Sequence, residues 1–258
     1  MILGLDHLAI NLPDLTAALP TFAELGYRTE FHESDLLNHP AKQPLLHTMC
    51  DRHAIALLKH PSAACVTLEL TRHAACTAVS HPTLLPLWGL EPDQLAGSIE
   101  RETTMTADAL PVIGVPCGDE RRGPMGTRLR SAACDADLEF WQRGVGMKPE
   151  NAADSSGSRP SLTRLVRQSP IPAWSFSLEL ESDLAATRAT QLDDLGATCI
   201  ALLVSDADRD QQRLLAAGGR DATEVFSLTV HDQPLRIALL RSPGGHCVEL
   251  IEQPKRNR

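Results

Sequence analysis

Aromatic residues are scarce in this 258-residue chain, at 3% of the total, with a single tyrosine, Tyr27. The core must therefore be built mainly from Leu, Val, Ile and Ala, and a site that stacks flat ligands between rings is disfavoured. Long apolar runs are missing too. None approaches the ~18 residues that cross a bilayer, so no membrane span is expected. The N-terminus has no basic region, and Asp6 interrupts its apolar stretch, so no signal peptide is expected. Seven cysteines are scattered without a CxxC pair, which reads as reduced thiols in a cytoplasmic protein. Positive charge is in deficit as well. The formal net charge of −9 repels a phosphate backbone, and the basic tail Lys255 to Arg258 is too short to reverse it. Neither nucleic acid nor membrane is expected as a partner.

What is present describes a globular protein with a real core, at 43% apolar and 22% charged residues. Two stretches match each other. "LDHLAINLPDLTAALPTFAELGYRTEF" and "GATCIALLVSDADRDQQRLLAAGGRDATEVF" both open with an apolar strand (Leu8 to Leu12; Ile200 to Val204) and continue to an Asp. Asp14 and Asp206 stand where a helix N-cap belongs, since a carboxylate accepts the orphan backbone N–H groups there. Each helical pattern ends at a glycine, Gly26 or Gly218, suited to the left-handed position after a helix. Pro20 lies inside the first pattern and predicts a kink or a late start. Further strands follow: "HAIALLKH" and "CVTLELT" in the first stretch, "PLRIALLRSPGG" and "HCVELIE" in the second. The unit is strand, helix, three strands, and both copies end on an apolar strand carrying a glutamate, Glu69 or Glu249.

A weaker third copy runs from Thr127 through Asp135 and Gly146, with later strands "SLTRLVRQSP" and "AWSFSLELE" flanking a polar loop, Asn151 to Pro160. Residues 72–116 are the least readable. "PTLLPLWGLEPDQL" reads as a loop plus a short helix and "PVIGVP" as a strand, so a degenerate fourth unit fits there. The Gly/Pro-rich, charged stretch Cys117 to Gly126 is the best boundary. It divides the chain into residues 1–117 and 126–258, each with two units.

The "LDHLAINLPDL…F..LGY" opening and the "R.PGG..VELIE" close resemble the vicinal oxygen chelate superfamily, which includes glyoxalase I, methylmalonyl-CoA epimerase, extradiol dioxygenases and the bleomycin resistance proteins. The resemblance covers residues 4–30 and 196–252 best, 127–181 less well and 72–116 poorly. It implies an α+β fold of tandem βαβββ modules, about four with one degenerate, forming cup-shaped curved mixed sheets. It also implies a divalent metal held by a first-strand His, Gln or Glu and a fourth-strand Glu of paired modules. Carried over residue by residue, His7, Glu69 and Glu249 match ligand positions. Cys199 stands at the first-strand position of the last unit and departs from the pattern. In the third unit that position is Arg128 or Arg130, which cannot bind a metal, with Glu179 or Glu181 on its fourth strand. The set His7, Glu69, Glu249 requires the first unit to pair with the last.

Each of these residues also has a plainer reading. His7 can be a strand histidine bonded to a neighbour. Because side chains alternate along a strand, only one of Asp6 and His7 can point into a cup. Glu69 and Glu249 can face outward from edge strands, although an unpaired carboxylate in an apolar strand is costly to bury. Cys199 reads as a small buried hydrophobe. Eight of the ten histidines fall in residues 1–81 without HxH or HxxxH spacing, and most read as turn and surface residues, with His47 and His53 as possible cup residues. His246 reads as structural. Phe140, Trp141 and Trp174 read as core, with a pocket wall as the alternative for Trp174.

One imidazole and two carboxylates suit Zn, Fe(II), Mn or Ni without choosing among them. The expected function is a metal-dependent lyase, isomerase or epimerase acting on a small molecule that chelates through two neighbouring oxygens. Glu249 or Glu69 would be the catalytic proton carrier. The alternatives are a metal-free small-molecule-binding (drug-sequestering) protein or an extradiol-type dioxygenase. With four units in one chain, both a monomer and a homodimer are compatible with the sequence.

Overall fold

Alternating apolar residues and Asp/Gly punctuation generate fifteen strands and three helices in the computed structural model, which describes residues 1–62, 65–74, 76–90, 100–105, 110–117, 123–150, 161–169 and 171–253. The first module comprises β1 (Ile2–Asn11), α1 (Leu15–Glu24), β2 (Arg28–Leu37), β3 (Arg52–Lys59) and β4 (Leu68–Arg72). Asp14 caps α1, its Oδ1 accepting from Thr16 N at 2.8 Å and Ala17 N at 3.1 Å. The helix starts directly after the cap and runs through Pro20, so no late start occurs. Thr16 and Pro20 are both exposed, which leaves the carbonyl that Pro20 cannot serve to water. Gly26 closes the helix at φ 92°, the left-handed region that glycine enters without strain.

The second module is reduced to β5 (Leu84–Leu90), β6 (Arg101–Met105) and β7 (Leu110–Pro116) among the described residues. The stretch read as a loop, Pro82 to Leu90, is instead largely strand β5. Each of its seven residues is buried, so it lacks the polar alternation that marks a half-exposed strand. The helix expected after it falls on residues 91–99, outside the described residues. The third module comprises β8 (Gly123–Ser131), α2 (Cys134–Glu139) with a π-helical turn over Phe140–Val145, β9 (Lys148–Pro149), β10 (Leu162–Arg167) and β11 (Phe176–Ser182). Asp135 sits in the first turn of α2, whose N-cap is Ala133. The loop reading at Asn151 to Pro160 and the basic tail lie outside the described residues. The fourth module comprises β12 (Gly196–Val204), α3 (Ala207–Ala216), β13 (Phe226–Val230), β14 (Gln233–Arg241) and β15 (Cys247–Glu252). Asp206 caps α3 through Arg209 N at 3.0 Å.

These strands form two sheets, and each sheet draws on both halves of the chain. The eight-stranded sheet has the order β13-β14-β15-β12-β1-β4-β3-β2, and the seven-stranded sheet β6-β7-β5-β8-β11-β10-β9. The first module therefore pairs with the fourth through antiparallel β1 and β12, and the second with the third through antiparallel β5 and β8. The main core, with Leu8, Ile10, Phe22, Trp88, Phe140 and Trp141 fully buried, unites residues from all four modules. The opposite face of the eight-stranded sheet is concave. Its two edges, β2 and β13 with the residues that follow them, meet through the rings of Phe31 and His231, stacked at 5.1 Å, and of His39 and Phe226 at 4.2 Å. Among the described residues no helix is long and apolar enough to cross a membrane.

Candidate metal centre

Register places the acidic residues. On the parallel β1–β4 pair Ala9 lies beside Glu69, and on the parallel β12–β15 pair Ala201 lies beside Glu249. Aligning Asp14 with Asp206 superposes Ala9 on Ala201, so the two glutamates occupy equivalent positions of the duplicated module. The same alignment sets His7 on Cys199. β1 and β12 adjoin, so both glutamates project toward the imidazole at the sheet's centre.

The resulting cluster is tight. His7 Nε2 lies 3.4 Å from Glu69 Oε2 and 3.7 Å from Glu249 Oε2. One possible donor atom from each of the three residues lies within 4.8 Å of the others, the only such group of three or more His, Cys, Asp and Glu among the described residues. Asp6 completes the arrangement, its Oδ2 lying 2.9 Å from His7 Nδ1. A carboxylate on Nδ1 holds the proton there and points Nε2 toward the two glutamates. Nε2 is buried and has no hydrogen-bond partner. An orphaned imidazole nitrogen facing two carboxylates is a donor set that fits a divalent cation.

Strict alternation had allowed only one of Asp6 and His7 into the cup, yet both line it. The register against β12 slips between Leu5 and His7, and this bulge turns two consecutive side chains to one face. The flanking residues keep their places: Leu5 and Leu8 face the core.

Electrostatics mark the same spot. Burial alone would lower the pKa of His7, but Glu69, Asp6 and Glu249 together outweigh it and raise it to about 9. Burial, aided by Glu69, raises the Glu249 carboxyl to about 7. Three carboxyl groups thus converge on one imidazole, Asp6 and Glu69 partly exposed to the cavity. Cys199 is buried beside Cys247, and burial pushes its thiol well above the ordinary range. It lies outside the ligand cluster and behaves as core.

The cluster lies in a cavity of about 1060 Å³. One wall is apolar, with Phe31, Leu36, Ile55, Leu228, Val230 and Ile237; Lys42, His53, His60, Trp174 and His231 add polar groups and one indole. Several residues read as surface or core thus belong to the cup. Trp174 reaches it because its carbonyl approaches within 2.3 Å of where a Cβ on Gly4 would stand, a contact only glycine permits. His47 is not in the cup and pairs with Asp194 at 2.9 Å. His53 and His73 stack at 5.0 Å in a buried pair beside it. Burial, reinforced by the charge of Lys42, depresses His53 to about 2 and His73 to about 4. No spacing rule could have paired a residue of β3 with one just beyond the end of β4. His246 is structural, bonded to Ser242 Oγ at 3.0 Å and to the Arg130 carbonyl at 2.9 Å.

In the seven-stranded sheet the corresponding positions are closed by ion pairs. Arg128 Nη2 meets Glu179 at 2.6 Å and Glu100 at 2.7 Å; Arg130 meets Glu181 at 3.2 Å and also Glu102.

Over 96% of this chain and 92% of theirs, the fold matches glyoxalase I from Zea mays with a TM-score of 0.62 at 14% sequence identity. A putative dioxygenase from Bacillus subtilis matches over 98% of this chain and 86% of its own, with a TM-score of 0.56 at 13% identity. The chain has a glyoxalase-type fold. No family model and no curated protein sequence matches it. Within the glyoxalase-type frame, the concave face of the eight-stranded sheet carries the acidic cluster and the seven-stranded sheet carries arginines in its place.

Proposed function

We propose that the eight-stranded cup binds one divalent metal ion on His7, Glu69 and Glu249 and works as an enzyme of the lyase, isomerase or epimerase type. The substrate is a small molecule with two neighbouring oxygens. The observation that carries this reading is the orphaned His7 Nε2, aimed by Asp6 at the buried Glu249 and the half-buried Glu69. A bound ion of this kind supplies Lewis acidity, which stabilises negative charge on the chelating oxygens.

The residues divide the work. Asp6 fixes the tautomer and orientation of His7. Glu249 is the proton carrier, as the more deeply buried of the two carboxylates beside His7 Nε2, at 3.7 Å. Glu69 is the second carboxylate within reach. Leu228, Val230 and Ile237 receive the apolar part of the substrate and keep water from the reacting carbon. The ring-cleaving alternative is disfavoured by the residues present. Tyr27, the single tyrosine, donates its hydroxyl to the Val66 carbonyl inside the core at 2.9 Å, and the cluster has one histidine.

Proton exchange tests the reading. Metal-loaded protein is incubated in D₂O with a panel of small 2-hydroxy ketones, 2-hydroxy aldehydes and 2-oxo thioesters, and α-deuteration is followed by NMR. The expected result is exchange that disappears in Glu249→Gln and in His7→Ala. Metal-loaded protein that binds panel members without exchanging them contradicts catalysis; protein that takes up no metal yet binds small molecules favours the metal-free binding alternative, for which the apolar wall is the supporting feature.

A further inference from the structure

Lys42 occupies a 3₁₀ turn, Pro40–Leu45, at the rim of the cup. The turn is firmly held. His39 Nδ1 accepts from Ala41 N at 3.2 Å, Leu45 is fully buried, and the Leu45 carbonyl accepts from Leu192 N at 2.8 Å. From this base the half-buried Lys42 side chain lines both the cup and a smaller chamber of about 20 Å³ beside it. The chamber is shared with Glu69, Glu249, His53 and His73, so the ammonium lies next to the acidic cluster.

Its charge has no settled partner. Lys59, the other lysine of the cup, is held by Glu30 at 3.0 Å. The Lys42 ammonium makes no ion pair or hydrogen bond among the described residues; its backbone N–H donates to the His39 carbonyl at 3.0 Å. In the metal-free cup, Glu249 is the nearby charge that moderates it. A divalent ion on the two glutamates would offset both of their charges, leaving Asp6, bonded to His7 Nδ1, as the remaining carboxylate of the cluster and the Lys42 ammonium facing the substrate cavity. A half-buried ammonium facing the cavity favours a ligand with an anionic group over an apolar one. Among the described residues that line the cup there is no arginine, and a single compact ammonium matches a monoanion better than a phosphate dianion.

We infer that Lys42 is an anion-recognition residue of the cup, and that the substrate carries a carboxylate in addition to its two chelating oxygens. This rests on the metal reading above and narrows its substrate class.

Two chelators of equal length separate the possibilities. Butyrohydroxamate ends in a methyl group and succinohydroxamate in a carboxylate, and both bind metals through two neighbouring oxygens. Each is titrated into cobalt-loaded protein and followed by the visible cobalt spectrum. Wild type is expected to prefer succinohydroxamate by about tenfold or more, as for one well-placed charge contact. Lys42→Met keeps the aliphatic stem, so it should bind cobalt and butyrohydroxamate unchanged but lose the preference; Lys42→Arg should retain it. Equal affinities in wild type, or a preference that survives Lys42→Met, would overturn the assignment. Failure to bind cobalt at all would overturn the metal reading and this inference with it, and is a distinct result.

Discussion

In the seven-stranded sheet, Glu179 and Glu181 lie against Arg128 and Arg130, cations that the chain itself provides at the first-strand positions of its third module. In the eight-stranded sheet, Glu69 and Glu249 converge on His7, and among the described residues no lysine or arginine pairs with either. Gathering carboxylates away from water costs several kcal/mol per ion unless a counter-charge sits among them. One sheet has its counter-charge built in, and the other leaves room for one from outside. Two copies of a duplicated frame therefore diverge at one position, where arginine makes a closed structural joint and histidine makes an open centre.

That contrast can be broken from the closed side first. Arg128→Met leaves the buried Glu179 uncompensated and is expected to lower stability by about 3–5 kcal/mol in urea denaturation, with no change in metal binding. A variant with the stability of wild type would mean that the pair contributes nothing to holding the sheet.

Acid should act on the open side. His53 and His73 have folded pKa values below their ordinary value of 6.5, at about 2 and about 4, so the unfolded chain takes up more protons in acid. Their contribution is full above about pH 6.5 and is lost below it at about 1.4 kcal/mol per pH unit for each histidine. His53→Gln should flatten the profile, and an unchanged acid limb in urea midpoints against pH would contradict this. His7 has the opposite sign. In metal-free protein its raised folded value, about 9, supplies stability below pH 6.5 that is lost as pH climbs through 9.

Glu249→Gln sharpens the comparison further. At pH 8 it removes a buried charge that the metal-free fold disfavours, and is expected to gain about 1–3 kcal/mol while abolishing any stabilisation by added zinc. A loss of stability in the metal-free variant would show that the cluster is not strained by its own charge. The smallest effect belongs to the outer surface. Arg52 and Asp35, both well exposed and 2.8 Å apart, form a pair that Asp35→Asn should change by about 0.5 kcal/mol or less.

The first and fourth modules were legible because their cues are local: Asp14 and Asp206 as caps, Gly26 and Gly218 as helix ends, and alternation along the strands. Their pairing with each other depends on β1 meeting β12, a contact across most of the chain, and no local pattern encodes it. β5 escaped because burial on both faces erases alternation and because Pro86 and Gly89 read as turn residues. His7, Glu69 and Glu249 stood out through position in the repeat. Asp6 was hidden by the bulge at Leu5 to His7, Trp174 by its close approach to Gly4, and Lys42 by lying in a turn with no motif around it.

The central claim concerns a cation on three named side chains. Elemental analysis of protein purified without chelator, beside His7→Ala and Glu249→Gln prepared identically, reads it most directly. The account predicts close to one divalent ion per wild-type chain and almost none in either variant. Metal-free wild type that also takes up none of zinc, iron(II), manganese or nickel, or an ion retained in both variants, would contradict it.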